Sequence, residues 1–209
     1  MSVTIISIIV TVLITLYTWK NPLVMNNWIF YPYGVKRNNE WYRFLTSGFL
    51  HADWGHLIFN MLSLYFFGRV VEYVFTNMYG FEIGIALFLL IFVGGIIVSD
   101  IPTYFKHKDD PTYRALGASG GVSAVIFSSI LFNPVNDICL YFFICLPGFI
   151  LGGLYLIYSY YEAKKRRDTV NHDAHFYGAV YGFVVSLLLV PSSFPRFIEL
   201  IQGWSFFDK

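Results

Sequence analysis

The chain has 209 residues; 56% are hydrophobic, 13% are charged, and the formal net charge is +1. A soluble domain carries about 25% charged residues. Disorder, coiled coil, collagen and a soluble single domain are therefore excluded, and the near-zero charge argues against a nucleic-acid partner. The class that remains is a polytopic membrane protein.

A charge at the bilayer centre costs about 2.5–3.5 kcal/mol, so charge-free runs map what a membrane can hold. The long runs are 1–19, 54–68, 83–99, 115–136, 138–161 and 174–195. A spanning helix needs about 20 apolar residues. Five runs meet that length. The run 54–68 extends past Arg69 and Glu72 to about Phe75, and those two, at i and i+3, are placed to pair. The pattern predicts an all-α, six-helix membrane bundle forming one domain over 1–209. Its helices run over about 2–19, 54–75, 82–101, 115–132, 138–161 and 174–191. The first run has no basic n-region and no small-x-small cleavage site, so it reads as a retained helix.

The connections differ in character. Residues 20–53, flanked by Trp19 and holding Trp28, Tyr31, Tyr33, Trp41 and Tyr42, have the aromatic density of a loop lying at the lipid–water interface. Residues 100–114 (Asp100, Lys106, Lys108, Asp109, Asp110, Arg114) and 162–173 (Lys164, Lys165, Arg166, Arg167, Asp168, Asp173) read as solvated loops. Short turns are expected near 76–82 and 133–137, the second marked by Asn133 and Pro134. The tail 194–207 reads as a short interfacial helix. Cys139 and Cys145, in one helix, would be separated by about 9 Å along its axis and would be two buried thiols.

Polar groups inside spans are the informative exceptions. Gly117-Ala118-Ser119-Gly120-Gly121 opens the fourth span and fits the G-x-S-x-G nucleophile elbow. A charged loop precedes it where a soluble hydrolase would have a strand, and its glycines also suit helix packing. At the start of the sixth span, His175 precedes Gly178 and Gly182, a G-x-x-x-G packing face that could meet the glycines of span four. His56 and Asn60, at i and i+4, share a face near the start of span two. Spans two, four and six enter from one side of the membrane, so Ser119, His175, His56 and Asn60 lie at similar depth. Together they supply a hydroxyl nucleophile, a base of suitable pKa and oxyanion donors.

These residues resemble the rhomboid family of intramembrane serine proteases, from about Trp41 to Val190. Gly117-Ala118-Ser119-Gly120 is similar to that family's G-x-S-G. Ala174-His175-x-x-Gly178-x-x-x-Gly182 is similar to its A-H-x-x-G-x-x-x-G, and His51-x4-His56-x3-Asn60 to its H-x4-H-x3-N. Glu40-Trp41-Tyr42-Arg43 resembles the W-R signature of the first loop, and Gly68-x3-Glu72 the G-x3-E of helix two. The resemblance implies Ser119 as nucleophile and His175 as base. His56 and Asn60, with the Ser119 N–H, would form the oxyanion hole. Arg43, His51, Glu72, Gly117, Gly120, Gly178 and Gly182 would be structural. It implies transmembrane protein substrates, a surrounding of membrane lipid, and no cofactor, metal or nucleic acid. Two positions depart from the pattern: Tyr42 stands where the family has Trp before the arginine, and Ser123 stands where members often carry a Tyr that stacks on the base. Phe176, Tyr177 or Tyr181 could orient His175 instead.

The family's orientation puts the N-terminus in the cytoplasm and the active site outside, in a bacterial inner membrane. Eleven of the 14 Lys and Arg then lie outside, against the positive-inside rule; loop acids partly offset them, and the family orientation is retained. Three rival readings fit the residues less well. An inactive rhomboid-like protein that binds membrane clients should lack Ser119 or His175. A metal or haem site on His51, His56, His172, Asp173 and His175 leaves Asn60 and the serine motif unexplained. A transporter should show an inverted repeat.

Overall fold

A computed structural model describes residues 2–140, 144–165 and 171–205. Its elements are α1 (Val3–Trp19), α2 (Pro22–Trp28), α3 (Pro32–Asn38), α4 (Arg43–Thr46), a 3-10 turn (Ser47–Phe49), α5 (Trp54–Tyr79), α6 (Phe81–His107), α7 (Ser119–Phe132), β1 (Asp137–Leu140), β2 (Ile144–Pro147), α8 (Gly148–Lys165), α9 (His172–Leu189) and α10 (Ser193–Gln202). By length and composition α5 and α6 can cross a membrane, and α9 with α10 makes a third if that pair, bent by 113°, counts as one span. α1 and α7 are apolar but shorter.

The polarity of α1 is reversed relative to a soluble helix. Thr4, Ser7, Thr11, Thr15 and Thr18 are buried, while Ile6, Ile9, Val10, Leu13 and Tyr17 face outward. An apolar solvent explains this: backbones approach closely over small hydroxyl residues, and hydroxyls find partners only inside. Thr15 donates to the Phe49 carbonyl at 2.9 Å, and Thr11 and Thr18 donate to carbonyls of their own helix.

The start of α1 is closed by Glu72 of α5. The carboxylate accepts from the Ser2 and Thr4 hydroxyls at 2.5 and 2.6 Å and from the Val3 and Thr4 amides at 3.0 and 3.1 Å. An anion satisfying orphan N–H groups at a helix N-terminus stabilises both partners. This corrects the expected Arg69–Glu72 pair: Arg69 instead donates to the Tyr65 hydroxyl and lies over its ring. Four backbone and hydroxyl donors outcompete one flexible guanidinium.

Three further expectations are corrected. The stretch 138–161 is not one helix: β1 and β2 pair antiparallel with Cys139 opposite Cys145, and α8 begins only at Gly148. Absence of charge identified an apolar segment but could not separate strand from helix. Cys139 and Cys145 are joined as a disulfide, not buried as thiols. The distance argument held only for a helix; in directly opposed strand positions the two meet. Among the described residues the fold is therefore mostly helical with one two-stranded sheet. Asp100 does not open a solvated loop: α6 continues through Pro102 to His107, and Asp100 is buried.

The fourth helix starts at Ser119, not 115. Residues before it run extended, with Ala115 bridged to Phe30. The loop 20–53 is largely helical, with Pro22 and Pro32 each at a helix start. The short turn at 76–82 is Gly80 alone, at φ +80. Residues Arg166, Arg167 and Asp168 of the basic run, and Phe206 and Phe207 of the tail, lie outside the described residues.

Because Glu72 satisfies four donors at once, Glu72→Ala is expected to lower stability in detergent by about 1–3 kcal/mol. Thermal unfolding followed by intrinsic fluorescence measures it.

Candidate active site

The centre of the bundle is a three-helix packing of α6, α7 and α9 with almost no side chain at the crossings. A Cβ at Gly178 would fall on the Gly120 carbonyl, and one at Gly182 on the Ala124 carbonyl. On the other face of α7, a Cβ at Gly95 would come within 2.6 Å of the Ala124 Cβ, and one at Gly121 would fall on the Phe92 carbonyl. Backbone contact at this range needs glycine on the approaching surface. It places Ser119, beside Gly120, at the level of Ala174 and His175, one turn before Gly178.

Ser119 is the first residue of α7, so its amide is among those left without an intrahelical acceptor. Gly117, at φ +129, makes the turn into the helix, in a region that L side chains rarely adopt. A Cβ there would also lie 2.7 Å from the His56 Cε1 and 2.8 Å from its Nε2, with the Ser119 Oγ at 3.8 Å. The His56 ring is thus against the Gly117 turn. Asp53 caps α5 by accepting from the His56 amide at 2.8 Å, which fixes where His56 begins. Asn60, buried one turn further, donates from Nδ2 to the His56 carbonyl at 2.9 Å. An amide nitrogen has two hydrogens, so one donor remains.

The interfacial segment holds this turn from outside. Arg43 is buried and donates to the carbonyls of Asn26 and Ile29 at 3.0 and 2.8 Å and to Glu40 at 2.7 Å. The guanidinium holds the Glu40 carboxyl below the usual carboxylate range. The segment then reaches the site through two backbone links. Phe30 pairs with Ala115, and the Gly117 amide donates to the Ser47 carbonyl at 3.0 Å. Trp41 and Tyr42 both stay exposed, Trp41 over Phe44 and Tyr42 beside the Arg43 guanidinium.

His51 is fully buried between α1 and α5. Its Nδ1 is 3.0 Å from the Thr15 hydroxyl, its carbonyl accepts from the Trp19 indole at 2.7 Å, and its ring meets His56 edge-on. Burial, reinforced by the neighbouring His56, pushes the His51 imidazole down to about 3.

Sequence reasoning missed Asp100 and Asn171. Asn171 caps α9, accepting from the Ala174 amide and the Thr103 hydroxyl at 3.1 Å each, and donates to Asp100 at 3.3 Å. Asp100, Asn171, Ser47, Ser99, Gly117, Ser119 and Ala174 line a cavity of about 10 Å³, near the size that admits one water. The signal in the sequence was that Asp100 ends an otherwise charge-free run. A larger cavity, about 740 Å³ between Val135 and α10, lies at the far end of α7 from Ser119. Asp173 pairs with Lys106 at 2.6 Å. Among the described residues, no three His, Cys, Asp or Glu side chains converge as metal ligands.

The Rhomboid domain matches residues 38–192, a span that takes in every one of these site residues. The chain belongs to the rhomboid family. It is 30% identical over 178 residues to the protein named "Putative rhomboid protease YdcA" of Bacillus subtilis, covering 80% of this chain and 76% of that one. It is 26% identical over 172 residues to "RHOMBOID-like protein 12, mitochondrial" of Arabidopsis thaliana, covering 77% of this chain and 50% of that protein. To "Rhomboid-like protein 11, chloroplastic" of the same plant it is 32% identical over 168 residues, covering 74% and 54%. The chain thus spans about half the length of the two plant rhomboid relatives. Rhomboid membership together with the apolar helices makes this an integral membrane protein.

Two outcomes follow from the geometry. Gly178→Val is expected to push α9 off the Gly120 carbonyl and lower stability by about 1–3 kcal/mol, the usual cost of overpacking a close contact. Thermal unfolding in detergent measures it. His51 binds a proton more readily in the unfolded chain, near 6.5, than in the folded one, near 3. Stability is therefore expected to fall as pH is lowered from about 6.5 toward 3. Unfolding midpoints across that window should show a flatter dependence in His51→Gln.

Proposed function

We propose that this rhomboid is an intramembrane serine endopeptidase that cleaves transmembrane segments of other membrane proteins. The observation that carries the reading is the Gly120–Gly178 backbone contact, which brings the Ser119 end of α7 to the His175 end of α9, with His56 against Gly117. In this reading Ser119 Oγ attacks the scissile carbonyl while His175 takes its proton. The oxyanion accepts from the Ser119 amide, from His56 and from the second hydrogen of Asn60. The C–N bond then breaks as the imidazolium gives its proton to the amine. Water hydrolyses the acyl-enzyme with His175 again as base. The half-buried Ser119 and the small polar cavity behind it support access of one water to a site within an apolar bundle.

The same proposal treats residues 1–209 as one rhomboid domain whose α1, α5, α6, α7, α8 and α9 all cross the bilayer. The shorter α7 is enclosed by the others: nearly all its residues are buried, so it need not match the lipid thickness by itself. We place the chain in a bacterial inner membrane with the active site on the outer side. No metal or cofactor enters the chemistry.

Purified protein in detergent is expected to react with a fluorophosphonate probe, and Ser119→Ala and His175→Ala to abolish labelling. Folded wild type that leaves the probe unreacted would move the reading to a non-catalytic client-binding rhomboid. Labelling that survives Ser119→Ala would mean a different nucleophile.

A further inference from the structure

In a membrane bundle, buried ionisable side chains are rare and costly, and they mark functional sites. Asp100 of α6 is such a residue. Its carboxylate meets Asn171, the residue that caps α9: Asn171 Nδ2 donates to Asp100 Oδ1 at 3.3 Å. At the other end of the same amide, Asn171 Oδ1 accepts from the Thr103 hydroxyl and from the Ala174 amide, at 3.1 Å each. The donor and the acceptor of the asparagine are both engaged, which fixes its orientation. Asp100 and Thr103, at i and i+3, share a face of α6, so one helix grips both ends of one amide. The Asn171 carbonyl also accepts from the His175 amide at 3.3 Å. The first turn of α9, from Asn171 to His175, therefore hangs from α6. The residue before Asp100 reaches the other helix of the site. A Cβ at Gly120 would fall on the Ser99 side chain, so Ser99 rests on α7 one residue past Ser119. Ser99 and Asp100 line the same small cavity as Ser119 and Ala174. Consecutive residues of α6 thus touch the helix of Ser119 and the cap of the helix of His175.

We propose that Asp100 is a positioning residue which, through Asn171, holds the first turn of α9 so that His175 meets Ser119. This deepens the protease reading and rests on it. Asp100 touches no reacting atom in this arrangement. It acts on the backbone of α9 and not on the imidazole ring. The carboxylate fixes the asparagine amide, the amide accepts from Ala174, and the next residue carries the base. The contact of Gly178 with Gly120 sets how closely α9 approaches α7. The Asp100–Asn171 bond sets how far the end of α9 can open. Helix ends fray, and their first amides need acceptors from outside the helix. An anchored cap supplies one at the turn where the base sits.

The test is the rate of Ser119-dependent fluorophosphonate labelling per folded protein, with hydrogen exchange over residues 171–178 and an unfolding midpoint for each variant. The variants are Asp100→Leu, Asp100→Asn, Asn171→Ala and the double Asp100→Leu, Asn171→Ala. Asp100→Leu removes the acceptor and is expected to label at least about tenfold more slowly, since small misplacements of reacting groups cost up to about 100-fold. Its Ala174 and His175 amides should exchange faster than in wild type. Asp100→Asn keeps an oxygen for Asn171 and should stay within about threefold of wild type. The double variant should label no more slowly than Asn171→Ala, because Asp100 acts only through Asn171. Losses that add in the double variant overturn the inference, since they give Asp100 a structural role of its own. If Asp100→Leu unfolds below the labelling temperature, Thr103→Val removes the other α6 partner of Asn171 and repeats the comparison. Labelling at the wild-type rate in folded Asp100→Leu overturns this inference alone. A wild type that does not label overturns the protease reading and this inference together.

Discussion

Everything at the candidate site depends on two helices touching backbone to backbone. α9 lies on α7 with Gly178 against Gly120 and Gly182 against Ala124, where added Cβ atoms would overlap carbonyls. In lipid the tails are as apolar as the side chains, so helices gain little by hiding apolar surface from each other. Close van der Waals contact and internal hydrogen bonding carry the association instead. Once this contact exists, the relative depth of Ser119 and His175 is no longer free. Residues one to three positions from the touching glycines are set within the length of a side chain.

The polar groups of this chain are arranged by the same constraint. The hydroxyls of α1 point inward, and Glu72 collects the donors at the start of that helix. Ser128 of α7 donates to carbonyls of its own helix and of α9 and accepts from Ser186 at 2.7 Å. Asp100 and Thr103 of α6 meet the Asn171 cap of α9. An unsatisfied polar group in hydrocarbon costs several kcal/mol, so Glu72, Ser128, Asp100 and Asn171 sit where a partner from another helix reaches them. Four of these hydrogen bonds tie α9 or its cap to α6 or α7, the helices that flank the site.

The segment between α1 and α5 acts on the site from its rim. Arg43 gathers carbonyls from two turns of that segment, and the Ser47 carbonyl receives the Gly117 amide. The segment before Ser119 is therefore held by backbone bonds to a distant part of the chain. Gly117 can adopt its left-handed turn without disturbing the helix that follows.

Composition and motif spacing determined much by themselves. They named the membrane class, the positions of most helices and the rhomboid resemblance, because lipid exposure and glycine crossings leave strong local patterns. They placed the tail helix too, which appears as α10. Three things were decided only in three dimensions. Apolarity without charge is shared by strand and helix, so the β1–β2 pairing and its disulfide depended on contact between the two strands. The partner of Glu72 was the far end of another helix and not the neighbouring Arg69. The aromatic beside His175 came from α8, and the buried Asp100 reached Asn171, through contacts 20 and 71 residues apart in sequence. Local pattern records what a residue can satisfy; the packing of helices decides which distant group satisfies it.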